Sequence, residues 1–169
     1  MLNREQILKA LDRLGTILKE EDIEGQLLLT GGAAMSLVHR ARDMTQDVDA
    51  LYEPKTEIYE YAKKVAKELD LPDDWLNDGV KGYMTENAPS YIYDVFGGLT
   101  ILTVTSEYLL AMKLMSARHG TMDLEDIKFL LSKLKITTLE DAIKLLTDHF
   151  PKDRILPKSM YVLEEYFSD

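Results

Sequence analysis

Residues 26–52 carry the stretch of sequence that decides the fold, QLLLTGGAAMSLVHRARDMTQDVDALY. A short apolar run opens it and ends at two glycines, which predicts a buried strand over residues 26–30. The run that follows, residues 33–40, lacks glycine and proline and predicts a helix that opens directly after the glycines. Acidic and apolar residues then alternate, which predicts a second strand over residues 47–52.

This stretch brings together two features with chemical meaning. Gly31 and Gly32 allow the backbone to approach a ligand closely, and the helix after them favours an anion such as phosphate at its N-terminus. Asp47 and Asp49 are two residues apart on a strand, so both carboxylates point to the same face. Paired carboxylates repel unless a cation neutralises them, and oxygen ligands suit Mg²⁺ or Mn²⁺. Taken singly, a glycine pair also suits an ordinary turn and Asp-x-Asp a solvated strand edge. Their ordered combination indicates metal-assisted transfer from a nucleoside triphosphate.

The rest of the chain predicts an α+β fold, with a small mixed sheet flanked by helices and a helical C-terminal half. Apolar residues at three- and four-residue steps, together with prolines, predict helices over 4–20, 55–69, 107–118, 124–135 and 159–167. Asn3 and Ser106 are the predicted N-caps of the first and third of these, and Thr138 opens another helix. The pair Gly97-Gly98 predicts a hairpin between 91–96 and 99–105, and residues 70–90 are predicted to be a loop. We expect a core over residues 1–105 and a helical part over 106–169 that packs on it as one unit.

Three motifs together resemble a known family. They are Gly31-Gly32-Ala33-Ala34, the run Arg42 to Asp49, and Leu110 to Leu114 followed by Arg118 and residues 123–127. Their order is similar to that of the minimal nucleotidyltransferases of the DNA polymerase beta-like superfamily. Within it, the chain resembles the branch of abortive-infection toxin nucleotidyltransferases.

The resemblance implies roles for individual residues. Asp47 and Asp49 would hold the divalent metals and act in catalysis, and Asp123 or Asp126 would organise a basic pair in the helical half. The nucleotide would be bound by Gly31, Gly32, Arg42, Thr45, Lys113 and Arg118. Glycine at position 32 replaces the serine of some relatives, so a hydroxyl contact to phosphate is lost.

The third catalytic carboxylate of the family has no obvious counterpart. Asp94 is our candidate, because it lies in the strand 91–96 that follows the long helix and loop. A general base needs a carboxylate within hydrogen-bond reach of the nucleophile. The alternative is that Asp94 only leads into the Gly97-Gly98 turn, where aspartate is common.

Composition narrows the class of protein. The chain has 169 residues with 20 Lys and Arg against 30 Asp and Glu, a formal charge of -10, which disfavours a broad nucleic-acid-binding surface. It contains no cysteine, so disulfides, thiolate metal sites and cysteine nucleophiles are excluded. No run approaches the roughly 18 apolar residues of a membrane span, and the N-terminus is unlike a signal peptide. We therefore expect a cytoplasmic protein with no membrane partner.

The leading hypothesis is an enzyme that moves a nucleoside monophosphate from a triphosphate to an acceptor hydroxyl. The resemblance implies a tRNA or protein acceptor, a toxin–antitoxin or defence role and an antitoxin protein as partner. Contact with RNA would be local, at the basic-rich stretch Lys113, Arg118, Lys128, Lys133 and Lys135. One alternative is a catalytically inactive binding or regulatory protein with the same fold. Another is a small-molecule nucleotidyltransferase of the antibiotic-modifying kind.

Overall fold

The computed structural model describes residues 1–118 and 121–168, and its last strand ends at Val104. Contacts group the chain into two units, residues 1–82 with 90–104, and residues 83–89 with 105–169. The first unit carries the sheet, and the elements of the second are helices. This arrangement confirms the predicted α+β class with a helical C-terminal half.

A mixed five-stranded sheet forms the centre of the first unit, in the order β5-β4-β2-β7-β6. Pairs β2·β7 and β4·β5 are parallel, and pairs β2·β4 and β6·β7 are antiparallel. A separate two-stranded ladder joins β1 to β3. The bounds are β1 Leu2–Asn3, α1 Arg4–Glu20, β2 Gly25–Leu29, α2 Gly31–Leu37, β3 Met44–Thr45, β4 Val48–Glu53, α3 Lys55–Leu69, β5 Leu76–Asn77, β6 Ser90–Phe96 and β7 Leu99–Val104.

Helices α1 and α3 pack together and contact the sheet on one face. Side chains alternate along the strands, so Leu27 and Leu29 of β2 and Ala50 of β4 are buried. Leu28 and Leu51 lie on the opposite face and are only half-buried. Asp49 is on this second face of β4, because its neighbours Val48 and Ala50 are both buried on the first.

Helix α4 is the centre of the second unit and contacts α5, α6 and α7. Seven consecutive residues of α4, from Tyr108 to Leu114, are buried. Ser159 at the start of α7 donates a hydrogen bond to the backbone oxygen of Leu114 at 2.7 Å, which ties these two helices. The bounds are α4 Ser106–Ser116, α5 Asp123–Lys133, α6 Leu139–His149 and α7 Pro157–Ser168.

Several local predictions are confirmed. Asn3 caps α1 through a capping box with Gln6, and Thr138 caps α6 by accepting from the backbone N–H of Asp141. Others differ from the structure. Helix α2 begins at Gly31, so the glycines form its first turn. Thr105, and not Ser106, caps α4.

The predicted loop over residues 70–90 contains two ordered elements. They are strand β5 and a 3₁₀ turn over Gly79–Tyr83. A two-residue strand has no periodicity to detect, and the same reason explains why β1 and β3 were not predicted.

Candidate functional site

Asp47 and Asp49 lie at the start of β4, beside the end of β2. Asp47 directly precedes the strand and Asp49 is its second residue. The backbone N–H of Thr30 donates to the backbone oxygen of Asp49 at 3.1 Å, and the Thr30 hydroxyl donates to the same oxygen at 3.3 Å. These bonds bring the acidic pair to the point where β2 ends and the glycine turn begins.

The glycine turn lies directly against the second aspartate. Gly31 has a φ of +58°, and a Cβ atom there would come within 2.9 Å of Asp49 Oδ2. A Cβ atom at Gly32 would overlap Thr45 Oγ1 and come within 2.9 Å of Arg42 Nη1. Residues with side chains are therefore disfavoured at both positions, because the turn leaves no room for them.

The structure brings five of the predicted site residues together around this turn: Gly31, Gly32, Arg42, Thr45 and Asp49. Thr45 is buried, donates its hydroxyl hydrogen to the backbone oxygen of Asp47 at 3.2 Å, and pairs with Leu2 in the β1·β3 ladder. The N-terminal strand thus helps to fix the loop that connects α2 to β4. Nucleotide binding by these residues stays a prediction, but their proximity is a structural fact.

The environment of Asp47 disfavours the charged form of its carboxyl group. Burial raises the pKa of the Asp47 carboxyl, the hydrogen bond from Asn77 opposes this, and the nearby charge of Asp74 adds to the increase. Among the described residues, Asp47 Oδ2 accepts from Asn77 Nδ2 at 2.9 Å and forms no ion pair. A cation beside Asp47 would relieve the cost of holding its charge in this position.

The residues around Asp47 and Asp49 fit a Mg²⁺ or Mn²⁺ ion. Both side chains offer hard oxygen donors, and Mg²⁺ is usually held by one or two carboxylates together with water and substrate phosphates. No group of three or more His, Cys, Asp or Glu residues able to hold a metal is found in residues 1–118 and 121–168. A two-carboxylate site completed by a phosphate ligand therefore suits the arrangement better than a site built from protein alone.

Asp94 lies elsewhere in the sheet. The register across β7 and β2 puts it level with Tyr52 of β4, three residues along the strand from Asp49 and three strands away. These spacings correspond to roughly 10 Å along the strand and roughly 14 Å across the sheet. The exposed Asp94 carboxylate instead accepts a hydrogen bond from the backbone N–H of Val95 at 2.8 Å. A catalytic role for Asp94 stays a prediction, and this geometry does not support it. The geometry agrees with the alternative, in which Asp94 only leads into the Gly97-Gly98 turn.

The predicted basic pair and its acids form a cluster inside the second unit. Lys113 is 7% exposed, and its Nζ atom lies 2.9 Å from Asp123 Oδ1 and 2.8 Å from Asp126 Oδ2. Arg118 is far more exposed, at 77% of its side chain, and its Nε atom lies 3.9 Å from Asp123 Oδ2. Lys113 therefore has carboxylate partners of its own. A nucleotide contact by Lys113 or Arg118 stays a prediction.

Asn77 is a residue at the site that the sequence did not identify. It lies in the short strand β5, paired in parallel register with Asp49 of β4. The fully buried Trp75 two residues earlier donates from Nε1 to the backbone oxygen of Ala62 at 2.9 Å. Trp75 thus anchors the segment to α3. The signal in the sequence was the segment Pro72 to Asp78, which looks typical of a subgroup of the resembled family but did not by itself assign a role to Asn77.

Comparison with protein-family models gave one match, over residues 6–155, to the family described as Nucleotidyltransferase of unknown function (DUF6036). Comparisons with curated proteins and with solved structures gave no significant match. None of the helices in the described part of the chain is long and apolar enough to cross a membrane. The family match spans the sheet, the glycine turn, both aspartates and most of the helical half. The chain therefore belongs to the family Nucleotidyltransferase of unknown function (DUF6036).

Proposed function

We propose that this protein is a Mg²⁺- or Mn²⁺-dependent nucleotidyltransferase that transfers a nucleoside monophosphate from a nucleoside triphosphate to an acceptor hydroxyl and releases pyrophosphate. One observation carries the proposal: Asp49 Oδ2 lies against the Gly31-Gly32 turn, with Asp47 beside it. A site for an anionic triphosphate and a site for a cation are thus adjacent. Family membership supports a nucleotide substrate.

Each group has a definite task in this proposal. Asp47 and Asp49 hold the divalent cation, which supplies neutralisation of the phosphate charge when it is bound. Because Gly31 and Gly32 carry no side chains, Asp49, Thr45 and Arg42 pack directly against the turn, and the phosphates would bind beside these side chains. Arg42 reaches the same turn with its guanidinium group, which matches phosphate geometry better than a lysine would.

Transfer requires the acceptor oxygen to bond to the α-phosphorus while the bond to the pyrophosphate oxygen breaks. The proton of the acceptor hydroxyl would pass to water, because the register places Asp94 level with Tyr52 and not with Asp49. The resemblance to toxin nucleotidyltransferases suggests a tRNA end or a protein side chain as acceptor, and an antitoxin protein as partner. The charge of -10 favours an acceptor with a small contact area.

A second candidate function follows from the position of Asp94. If neither water nor a carboxylate takes the proton of the acceptor, the protein would bind a metal-bound triphosphate without transferring it. It would then serve as a binding or regulatory protein with a nucleotidyltransferase fold. The two candidates share the same site and differ only in turnover.

Incubation with the four NTPs labelled at the α-phosphate, Mg²⁺ or Mn²⁺, and total RNA or lysate distinguishes the two. We expect a labelled RNA or protein product with the wild type, and a decrease on the order of 10²–10³-fold with Asp49→Asn. Asp43→Asn removes an exposed negative charge from the same loop and is the matched control. Calorimetric NTP binding without labelled product would support the binding protein instead. A wild type that neither binds nor transfers any NTP would overturn both.

A further inference from the structure

Residues 75–79 pack beside the start of β4 and hold the acidic pair Asp47 and Asp49 in place. The backbone N–H of Val48, between the two aspartates, donates to the backbone oxygen of Trp75 at 2.7 Å. The Trp75 side chain is fully buried and hydrogen-bonded to α3, so β5 cannot slide freely along β4. Asn77 is held at the level of Asp49 as a result.

The orientation of the Asn77 amide is fixed from both ends. The backbone N–H of Gly79 donates to Asn77 Oδ1 at 3.0 Å, which requires the oxygen end to face the turn. The nitrogen end then faces the acidic pair, and Nδ2 donates to Asp47 Oδ2 at 2.9 Å. An asparagine that accepts from a backbone N–H two residues later is a common turn arrangement, and it leaves the amide nitrogen available as a donor.

We propose that Asn77 is a positioning residue for the metal ligand Asp47. By occupying Oδ2 with an amide hydrogen bond, Asn77 fixes the plane of the carboxylate and turns Oδ1 toward the cation beside Asp49. Partners of this kind, which orient a ligand without touching the ion, commonly change metal affinity by about 10- to 100-fold when they are removed. The inference rests on the proposed function, because it assigns a metal to Asp47 and Asp49.

A merely structural role for Asn77 makes a different prediction. If the side chain only closes the turn at Gly79, its contribution lies in the Oδ1 contact alone. Asn77→Ser separates the two roles, because a serine oxygen also accepts from an N–H two residues later but is too short to reach Asp47. Asn77→Ala removes both contacts and measures their sum.

The experiment titrates Mn²⁺ alone, without nucleotide, into the full-length wild type and each variant, by calorimetry and by electron paramagnetic resonance of free Mn²⁺. We expect both Asn77→Ser and Asn77→Ala to raise the dissociation constant by about 10- to 100-fold. Thermal unfolding of the metal-free proteins is followed in parallel, and Asn77→Ser is expected to unfold at a higher temperature than Asn77→Ala, because the serine keeps the contact to Gly79. The control is Lys55→Gln with Asp78→Asn, which breaks an exposed ion pair between α3 and the residue after Asn77 and leaves the net charge unchanged.

Each outcome has a distinct meaning. Wild-type affinity in Asn77→Ser overturns the positioning role and leaves the proposed function intact. An equal loss in the Lys55 and Asp78 control also overturns it, since loosening the segment would then be the cause. If Asn77→Ala does not fold, Asn77→Ser and the control decide the matter. A wild type that binds no Mn²⁺ in the absence of nucleotide overturns the positioning role, and the labelled-NTP assay then decides the proposed function.

Discussion

The two units each hold a pair of partly or fully buried aspartates, and the pairs differ in what neutralises them. In the second unit, Asp123 and Asp126 both contact the buried ammonium group of Lys113. In the first, Asp47 is hydrogen-bonded to a neutral amide, and the described residues give it no ion pair. One pair has its cation built into the chain, whereas the other has a carboxylate that an external cation would stabilise.

One aspartate of each pair has a shifted pKa, and the pKa values of Asp123 and Asp47 move in opposite directions. Burial acts to raise the pKa of Asp123, but the hydrogen bond and charge of Lys113 outweigh it, with help from Thr121, and the pKa falls below its ordinary value. Burial raises the pKa of Asp47, and the Asn77 amide only partly compensates. The difference indicates that the Lys113 cluster stabilises the fold. The charged form of Asp47 destabilises it, and binding of a cation would offset that effect.

Replacement of Lys113, whose ammonium group contacts Asp123 and Asp126, is expected to have the largest effect on stability. Lys113→Met removes the buried ammonium group that contacts both Asp123 and Asp126, and should lower the free energy of unfolding by about 3–5 kcal/mol. Urea unfolding followed by circular dichroism measures it. Lys113→Met combined with Asp123→Asn and Asp126→Asn should recover much of the loss, because no uncompensated charge remains. A Lys113→Met variant as stable as the wild type would contradict the comparison between the two aspartate pairs.

The glycine turn is expected to show the next largest effect. In Gly32→Ala the new Cβ atom would overlap Thr45 Oγ1 and crowd Arg42, so the loop between α2 and β4 must shift. Crowding of this kind costs typically about 1–3 kcal/mol in stability, and NTP affinity should fall with it. Gly82→Ala is the matched control, because a Cβ atom there has nothing within 4 Å. Unchanged NTP binding in Gly32→Ala would show that the turn does not contact the phosphates.

Replacement of Asp47 should stabilise the metal-free protein. Asp47→Asn keeps an oxygen that accepts from Asn77 Nδ2 and removes a charge that burial disfavours, so the metal-free variant should melt a few degrees above the wild type. Added Mn²⁺ should raise the melting temperature of the wild type and leave that of Asp47→Asn nearly unchanged. Differential scanning calorimetry with and without Mn²⁺ gives both values. A lower melting temperature in Asp47→Asn without metal would contradict the comparison.

Long periodic elements were predictable from the sequence, because their burial pattern is local. Helices α1 and α3 have the predicted bounds, and the hairpin around Gly97-Gly98 is present as two antiparallel strands. The acidic pair and the glycine turn were also predictable, since their residues lie within one stretch of the chain. Family membership of the chain agrees with the resemblance to nucleotidyltransferases based on these motifs, and the resemblance to the toxin branch stays a prediction.

Contacts between distant segments were not predictable in the same way. Asn77 is 30 residues from Asp47, and it reaches the site through a strand only two residues long. The position of Asp94 depends on the register of β6, which shifts between Ile92 and Asp94 and cannot be read from alternation alone. For Lys113, the resemblance implied that Asp123 or Asp126 organises the basic pair, but it did not predict that both carboxylates contact the ammonium group.

The smallest expected effect is the acid dependence that Asp123 contributes. Because the pKa of Asp123 is lower in the folded chain than in the unfolded chain, the unfolded state binds more protons at acidic pH. This contribution to stability is complete above the ordinary aspartate pKa of about 3.9 and is lost as the pH falls through the lower, folded value. Within that window the slope for one such group reaches at most about 1.4 kcal/mol per pH unit.

Urea unfolding of the wild type and Asp123→Asn from pH 7 to pH 3 measures this contribution as a difference between two curves. The variant is less stable at pH 7 but should lose less stability on acidification, so the curves converge toward pH 3. Asp47 acts with the opposite sign, because a raised folded pKa makes the ionised form costly at neutral pH. Asp47→Asn and the wild type should therefore also converge in acid, with the variant the more stable of the two at pH 7. Parallel curves in either pair would show that the aspartate concerned has the same pKa in the folded and unfolded chains.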